Sequence, residues 1–400
     1  MSTMEKPAVE GGQPELEERV PFFIPCHGEE EIQAVVETLR SGWLTIGPRT
    51  REFRDAFLEH TGLPWGWPVN SCTSGLFLAL RVLDLGPGDE VITSPNTFTA
   101  SVNVIHHCGA TPVLADIEDT TYGLDPKAVE AAITPATKAI LAVHFAGQPC
   151  YIEKLRQLAD ARGLLLIEDC AHSFGSLASG RPPGDFGDAA AFSFYVTKNL
   201  STGEGGFVTC REEKVEQEIA LMSLHGMDTG AWKRYSDRGS WFYDVHSFGY
   251  KCNLTDLQAS LGLVQLKRAE KLQGSRTRAA ERYLKNLAGE EALILPRTRE
   301  NALHSWHLFT PRLRDGALRI ERDEFLQALS GEGVSPSLHF IPIHHHSAHA
   351  EFFGGVGDSL PVCEEYYRGT FSLPLYPGVT DEQVDGVSAA VLKLIRWYRS

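Results

Sequence analysis

Leu164-Leu165-Leu166-Ile167-Glu168-Asp169 is a short apolar run that ends in two acids. It shows no alternation, so neither face of a strand over Leu164–Glu168 can meet water. That pattern predicts one strand of a parallel sheet covered on both sides. Runs of the same kind occur at Glu90–Ser94, Val113–Ile117, Ala139–His144, Ala189–Tyr195 and Phe207–Cys210. Helical stretches separate most of them, at Gly75–Leu83, Thr99–Cys108, Lys127–Ala132 and Ile152–Ala161. The alternation predicts an α/β fold built on a mainly parallel sheet.

Outward from this block the pattern changes. Upstream, Glu29 to Ser41 has helical periodicity, closed by Gly42-Trp43. Downstream, Thr255-Asp256-Leu257-Gln258 is a capping box, Thr followed three residues on by Gln, opening a long amphipathic helix. After about Lys271 come expected strands at Trp306–Pro311 and Ser337–Ile341 and helices at Arg322–Leu329 and Thr380–Tyr398. The expected organisation is an arm over residues 1–20, disordered or draped, a large unit over 21–270, and a smaller α+β unit over 271–400.

At 42% hydrophobic and 22% charged residues the chain has the composition of a globular protein. A net charge of -15 argues against a nucleic-acid or anionic-membrane surface, because phosphate repels such a field. The eight cysteines form no CxxC pair and several lie in apolar runs, which predicts buried free thiols in a reducing compartment. Met1 to Val20 has no apolar core of a secretory signal, and no run is long enough to cross a bilayer. A cytoplasmic protein is expected.

The chemistry gathers at strand ends. Asp169 closes a buried strand, at the rim where α/β sheets bind ligands, and a carboxylate there can pair with a protonated pyridine nitrogen. Glu168 faces the other side of the strand and is the weaker candidate. Lys198 follows the strand Ala189–Tyr195 and precedes Gly203-Glu204-Gly205-Gly206, where backbone can approach a ligand closely. Asn70-Ser71-Cys72-Thr73-Ser74-Gly75 precedes the apolar helix Leu76–Leu83. A helix N-terminus of that kind serves either as a phosphate cradle or as a plain cap. Phe98, after another strand, can stack on a flat heterocycle or simply join the core. Ser193 can reach a phosphate or satisfy local backbone. A lysine amine, a carboxylate, a phosphate cradle and an aromatic at one rim describe a site for pyridoxal 5'-phosphate.

From about Pro21 to Ser400 the sequence resembles the DegT/DnrJ/StrS-type sugar aminotransferases, which have the type I pyridoxal-phosphate fold. The resemblance is carried by Ser41-Gly42-Trp43-Leu44-Thr45-Ile46-Gly47-Pro48, Asp169-Cys170-Ala171-His172-Ser173, and Ser193 through Gly206. Gly249-Tyr250-Lys251-Cys252-Asn253-Leu254-Thr255-Asp256 and His339-Phe340-Ile341-Pro342-Ile343-His344 add to it. It implies that Lys198 is the Schiff-base lysine, Asp169 the partner of the pyridine nitrogen, and His172 the neighbour of the ring hydroxyl. It places Thr73, Ser74 and Ser193 at the phosphate, Phe98 over the ring, and Cys72 among the other cofactor contacts. Asn253 matches an asparagine that reaches the cofactor of a neighbouring subunit, which implies a homodimer with shared sites. Two positions depart from the pattern: Cys72 stands where glycine is usual, and Cys252 where an aromatic is common.

The resemblance further implies glutamate as amino donor, pyridoxamine phosphate as the intermediate form of the cofactor, and a nucleotide-linked keto sugar as acceptor. A 4-keto-6-deoxyhexose is expected, with a cyclitol as the runner-up. Thr45, Lys233, Arg234, Tyr250, His339 and His344 are the candidate substrate contacts; Lys233, Arg234 and Arg238 would face a diphosphate. The dehydratases of this family replace the lysine by histidine, so Lys198 argues against that activity. The intact set Lys198, Asp169, Ser193 and Asn253 argues against a decayed, non-catalytic regulator. His344-His345-His346 and His349 are not expected to hold a metal, since adjacent histidines on an irregular segment rarely converge and no carboxylate lies among them.

Overall fold

The computed structural model describes residues 5–227 and 243–400. Its strands are β1 (Trp65–Val69), β2 (Glu90–Thr93), β3 (Thr111–Leu114), β4 (Thr137–Val143), β5 (Leu165–Asp169), β6 (Leu177–Ala178), β7 (Ala189–Ser193), β8 (Gly206–Cys210), β9 (Leu293–Ile294), β10 (Ala302–Leu303) and β11 (Arg312–Leu313). Seven of them form one sheet in the order β1-β8-β7-β5-β4-β2-β3. All its neighbours pair in parallel except β8, which runs antiparallel to both β1 and β7.

The helices are α1 (Glu29–Ser41), α2 (Pro48–Thr61), α3 (Cys72–Val82), α4 (Ala100–His107), α5 (Pro126–Ala132), α6 (Ile152–Arg162), α7 (Glu213–Met222), α8 (Asp256–Asn286), α9 (Arg322–Gly331), α10 (Ser347–Ala350), α11 (Pro361–Gly369) and α12 (Asp381–Tyr398). They cover both faces of the sheet, as an unalternating strand requires. Along β5, Ile167 packs with Leu76 and Leu80 of α3 and Val104 of α4. Its neighbour Leu166 packs on the other face, with Val129 of α5 and Leu155 of α6. This alternation settles the two acids that follow. Asp169 shares the α3–α4 face with Ile167, and Glu168 turns away.

The capping box at Thr255 forms as expected, with Thr255 Oγ1 accepting the Gln258 amide at 3.4 Å, and α8 then runs for 31 residues. Its first half closes the sheet with α2, through Phe53, Phe57 and Leu263. Its second half, from Ala279 to Tyr283, enters a separate core with Phe325, Phe371, Val391 and Ile395. The strands expected at 306–311 and 337–341 are not formed. Those segments make only isolated pairings, Phe309 with Leu373 and Ser337 with Ser372. Strand β1 was not expected, because Gly66 and Pro68 interrupt its pattern. Both are tolerated at a sheet edge, and a Cβ at Gly66 would lie 2.4 Å from the Phe207 ring.

The N-terminal arm lies against the second core. Glu332, fully buried, accepts the amides of Ala8 and Glu15 at 2.8 Å each and pairs with Lys393 at 2.8 Å. All eight cysteines are unpaired. Among the described residues no helix is long and apolar enough to cross a membrane.

Candidate active site

The carboxyl ends of the parallel strands meet at one rim. Asp169 ends β5, Ser193 ends β7, Ser71 follows β1, and Thr97 and Phe98 follow β2. Because β8 runs the other way, its beginning, Gly205-Gly206, arrives at the same rim. Gly206 apart, these residues and Lys198 line one cavity of about 490 Å³, a size suited to a small organic cofactor.

At one end of the cavity is the start of α3. Ser71 caps it, accepting the Ser74 amide at 3.1 Å, and its hydroxyl lies 3.0 Å from Ser74 Oγ. Ser71 and Thr73 face the cavity; Ser74 is engaged in the cap. Strand β8 presses on this turn so closely that a Cβ at Gly206 would lie 2.5 Å from the Ser71 carbonyl carbon and 2.6 Å from the Cys72 amide. The turn therefore offers free amides and a positive dipole end to an anion. Ser193 Oγ accepts the Tyr195 amide at 3.3 Å and also lines the cavity. Cys72 also lines the cavity, and its side chain turns toward β7 and Asp169, with Sγ 3.4 Å from the Ala191 carbonyl and 3.9 Å from Asp169 Oδ1. Burial and the Asp169 charge push the thiol well above its usual range.

Asp169 is fixed at both oxygens. Oδ1 accepts the Ala171 amide at 3.0 Å and Oδ2 accepts the Ser101 hydroxyl at 2.7 Å. Ser101 in turn lies 2.7 Å from the Thr97 hydroxyl. Lys198 is anchored by its own amide to the Tyr195 carbonyl at 2.8 Å. Burial pushes the Lys198 ammonium down to about 8, with Arg276 acting in the same direction against the charge of Asp169. Glu168 has a structural task instead. It accepts the amides of Gly184 and Phe186 at 3.0 Å and pairs with buried His144 at 2.9 Å.

Histidines and an aromatic form the opposite wall. His172 accepts the Ala146 amide at Nδ1 (3.3 Å), and its ring lies 4.3 Å from His307 and 5.7 Å from Phe340. Burial, reinforced by the Lys198 charge, holds His172 well below the usual imidazole range, and His339 is held down to about 4 for the same reasons. His339 Nδ1 is 2.8 Å from Ser372 Oγ. Phe98, 61% exposed, stands at the mouth with Phe340 6.3 Å away. Ser101, Thr97, Arg276, His307 and Phe340 had no signal in the sequence that marked them as site residues.

Several expected residues lie elsewhere in this chain. Thr45 is exposed, its carbonyl accepting the Asp256 amide at 3.0 Å. Tyr250 packs edge-on against Phe77 at 4.8 Å. Asn253 is buried beyond the α3 turn, bridged to Val69 and bonded to Lys251 and Leu254. Cys252 ties the same segment to that turn, its carbonyl accepting the Asn70 amide at 2.7 Å. Lys233, Arg234 and Arg238 fall outside the described residues. His344 is buried away from the cavity, and the reading of its cluster is corrected. His344 and His345 do converge, reaching Glu364 Oε1 at 2.6 and 2.8 Å. The carboxylate comes from α11, twenty residues on, where local sequence could not reveal it.

Residues 25–392 match the model of the DegT/DnrJ/EryC1/StrS aminotransferase family. The chain is 46% identical over 378 residues to the spore coat polysaccharide biosynthesis protein SpsC of Bacillus subtilis, covering 94% of this chain and 97% of that one. A Streptococcus pneumoniae protein named as a sugar aminotransferase, solved in its PMP form, superposes with a TM-score of 0.89 at 35% identity, covering 94% of this chain and 99% of that chain. PseC of Helicobacter pylori, an aminotransferase of pseudaminic acid biosynthesis, superposes with a TM-score of 0.89 at 28% identity, covering 96% and 100%. With its strand-end carboxylate, its lysine and its capped helix facing one cavity, the chain belongs to the DegT/DnrJ/EryC1/StrS aminotransferase family.

Proposed function

We propose that this chain is a pyridoxal 5'-phosphate-dependent aminotransferase in which Lys198 holds the cofactor, glutamate gives the amino group, and a nucleotide-linked keto sugar receives it. The observation that carries the reading is that Lys198, Asp169 and the start of α3 line one cavity. They supply an amine, a carboxylate and an anion cradle, which are the groups this cofactor needs. The solved relatives in PMP and PLP forms support the choice of cofactor.

Bound there, pyridoxal phosphate supplies a carbonyl that takes up nitrogen and a ring that draws off electron density from the donor's α-carbon. The chain's own groups do the rest. The start of α3, with Thr73 and Ser193, receives the phosphate. Asp169 accepts the ring N–H and keeps it protonated. His172, kept neutral, borders the ring hydroxyl. Phe98 covers the ring from the mouth. Lys198 would hold the cofactor through its amine and, once freed, would carry the proton to and from the α-carbon of the donor and the corresponding carbon of the acceptor. Over a full cycle glutamate would depart as its 2-oxo acid, the acceptor's ketone oxygen as water, and the acceptor as an amine.

The acceptor in this reading is a nucleotide-linked 4-keto-6-deoxyhexose; the relatives SpsC, of spore coat polysaccharide biosynthesis, and PseC, of pseudaminic acid biosynthesis, support sugar chemistry in general. Two copies of the chain share their sites. The exposed apolar residues Val245 and Phe248, the latter 99% exposed, flank the segment that carries Tyr250 and Asn253, and a second copy would cover them. The large unit over 21–270 carries the cofactor, and the smaller unit over 271–400 brings His307, His339 and Phe340 to the acceptor side. Eight unpaired cysteines support a cytoplasmic location. The test is borohydride reduction followed by peptide mapping, with a panel of nucleotide keto sugars and inososes assayed with glutamate. Cofactor fixed on Lys198 and an amine product from a nucleotide 4-keto sugar are expected. Fixation at another lysine overturns the site, and turnover of inososes alone overturns the sugar.

A further inference from the structure

We infer that Ser101 is a positioning residue for amino transfer: its hydroxyl, backed by that of Thr97, sets the plane of the Asp169 carboxylate against the ring nitrogen. This rests on the reading of Asp169 as the ring's partner and is independent of which sugar is aminated. The Ala171 amide holds Oδ1 at 3.0 Å, and the Cys72 thiol adds a long contact to the same oxygen at 3.9 Å. Contacts at one oxygen leave the carboxylate free to turn about it, because the terminal torsion of aspartate is broad. Ser101 pins the second oxygen at 2.7 Å, a length typical of a hydroxyl on a charged acceptor. An ionised carboxylate only accepts, so the Ser101 proton is committed to Asp169. Thr97, 2.7 Å from Ser101, must then be the donor in their contact. The relay therefore has one direction, from Thr97 to Ser101 to Asp169.

Burial makes the relay hard to replace. Ser101 is 0% exposed and does not border the cavity, so water cannot fill in for its hydroxyl without the packing opening; Thr97, 2% exposed, borders the cavity. The relay also lies on the segment that carries Phe98. The residue that stacks on the ring and the hydroxyls that aim its nitrogen's partner are thus placed by one stretch of chain, Thr97 to Ser101.

The test uses the holoenzyme and the variants Ser101→Ala, Thr97→Val and Thr97→Ser. For each, the pH midpoint of the bound cofactor's visible absorbance, its dissociation constant, kcat, KM and thermal melting are measured. A hydrogen bond to a charged group predicts about a tenfold loss of kcat and a midpoint shift of about one pH unit for Ser101→Ala, with KM for glutamate within about twofold. Thr97→Val shifts the midpoint in the same direction by a smaller amount, and Thr97→Ser restores it. A folded Ser101→Ala whose midpoint and kcat match the parent overturns the inference. If that variant does not fold, an unshifted midpoint in Thr97→Val overturns it equally. Peptide mapping of the reduced holoenzyme separates the two levels: cofactor away from Lys198 refutes the underlying site, whereas cofactor on Lys198 with unmoved midpoints refutes only the relay.

Discussion

Arg276, fully buried, donates through Nη2 to the carbonyl of Thr197, the residue before Lys198, at 3.4 Å. Nη1 reaches the carbonyls of Leu375 at 3.0 Å and His307 at 3.3 Å, while Nε is buried without a partner among the described residues. These acceptors are all main-chain oxygens, which offset only part of the cost of a buried cation. The guanidinium itself is pushed down to about 10 by burial. It joins α8, the lysine loop and two segments of the second core, and it places a positive charge near Lys198.

The first prediction concerns pH. Lys198 can take a proton only as the neutral amine, and its ammonium is held down to about 8. The rate of the proton-transfer step should therefore rise with pH and level off above about 8. Arg276 favours the neutral amine, so Arg276→Met should move this limb to higher pH, because loss of the neighbouring cation makes the ammonium easier to keep. Single-turnover rates with glutamate across pH 6 to 10 check the sign. A limb that moves to lower pH in Arg276→Met would falsify the electrostatic argument.

A second prediction separates charge from chemistry at the same position. Lys198→Arg keeps the cation but not a removable proton at neutral pH. It should lose about a thousandfold or more in turnover, in the range expected for general acid–base groups, while melting within a few degrees of the parent. Retention of a tenth of the parent rate would move the proton-transfer role to another group.

Both predictions centre on Lys198, which was legible beforehand, as was Asp169, for reasons that are local; Arg276 was not. Asp169 stands at the end of an unbroken apolar run, so its burial and its place at the rim both follow from strand geometry. The alternation that sends Ile167 to α3 and Leu166 to α6 also separates Asp169 from Glu168. What stayed hidden depends on contacts between distant segments. Ser101 reads as one more small residue on a helix until α4 is laid beside β5. His344 and His345 meet Glu364 only because α11 folds back on them. Strand β1 was obscured because Gly66 and Pro68 read as loop, although an edge strand tolerates both.

The α3 turn gives a third prediction, one that does not touch a polar side chain. Gly206→Ala would put a carbon 2.5 Å from the Ser71 carbonyl carbon and 2.6 Å from the Cys72 amide. These are backbone atoms, so the turn must move. Cofactor affinity, read by equilibrium dialysis, should fall about tenfold or more, with a stability loss of about 1–3 kcal/mol typical of overpacking. Loss of stability with unchanged cofactor affinity would show that the turn is not the phosphate cradle.

The last prediction lies far from the cavity. Glu332 is fully buried, holds the amides of Ala8 and Glu15, and pairs with Lys393 at 2.8 Å. Lys393 also donates to the Gln13 carbonyl at 2.7 Å, so one ion pair secures three points of the arm. Glu332→Ala removes the acceptor for two amides and strands a buried ammonium. Breaking a buried pair by removing one partner costs about 3–5 kcal/mol. Chemical denaturation should show a loss of that size, and limited proteolysis should cut the arm near Gly11 and Gly12 before the rest of the chain. Glu332→Met/Lys393→Met should recover most of the stability but leave the arm sensitive to protease, because the amides of Ala8 and Glu15 still lack an acceptor. An arm that resists protease in both variants would show that Leu16, packed against the second core, holds the arm without the ion pair.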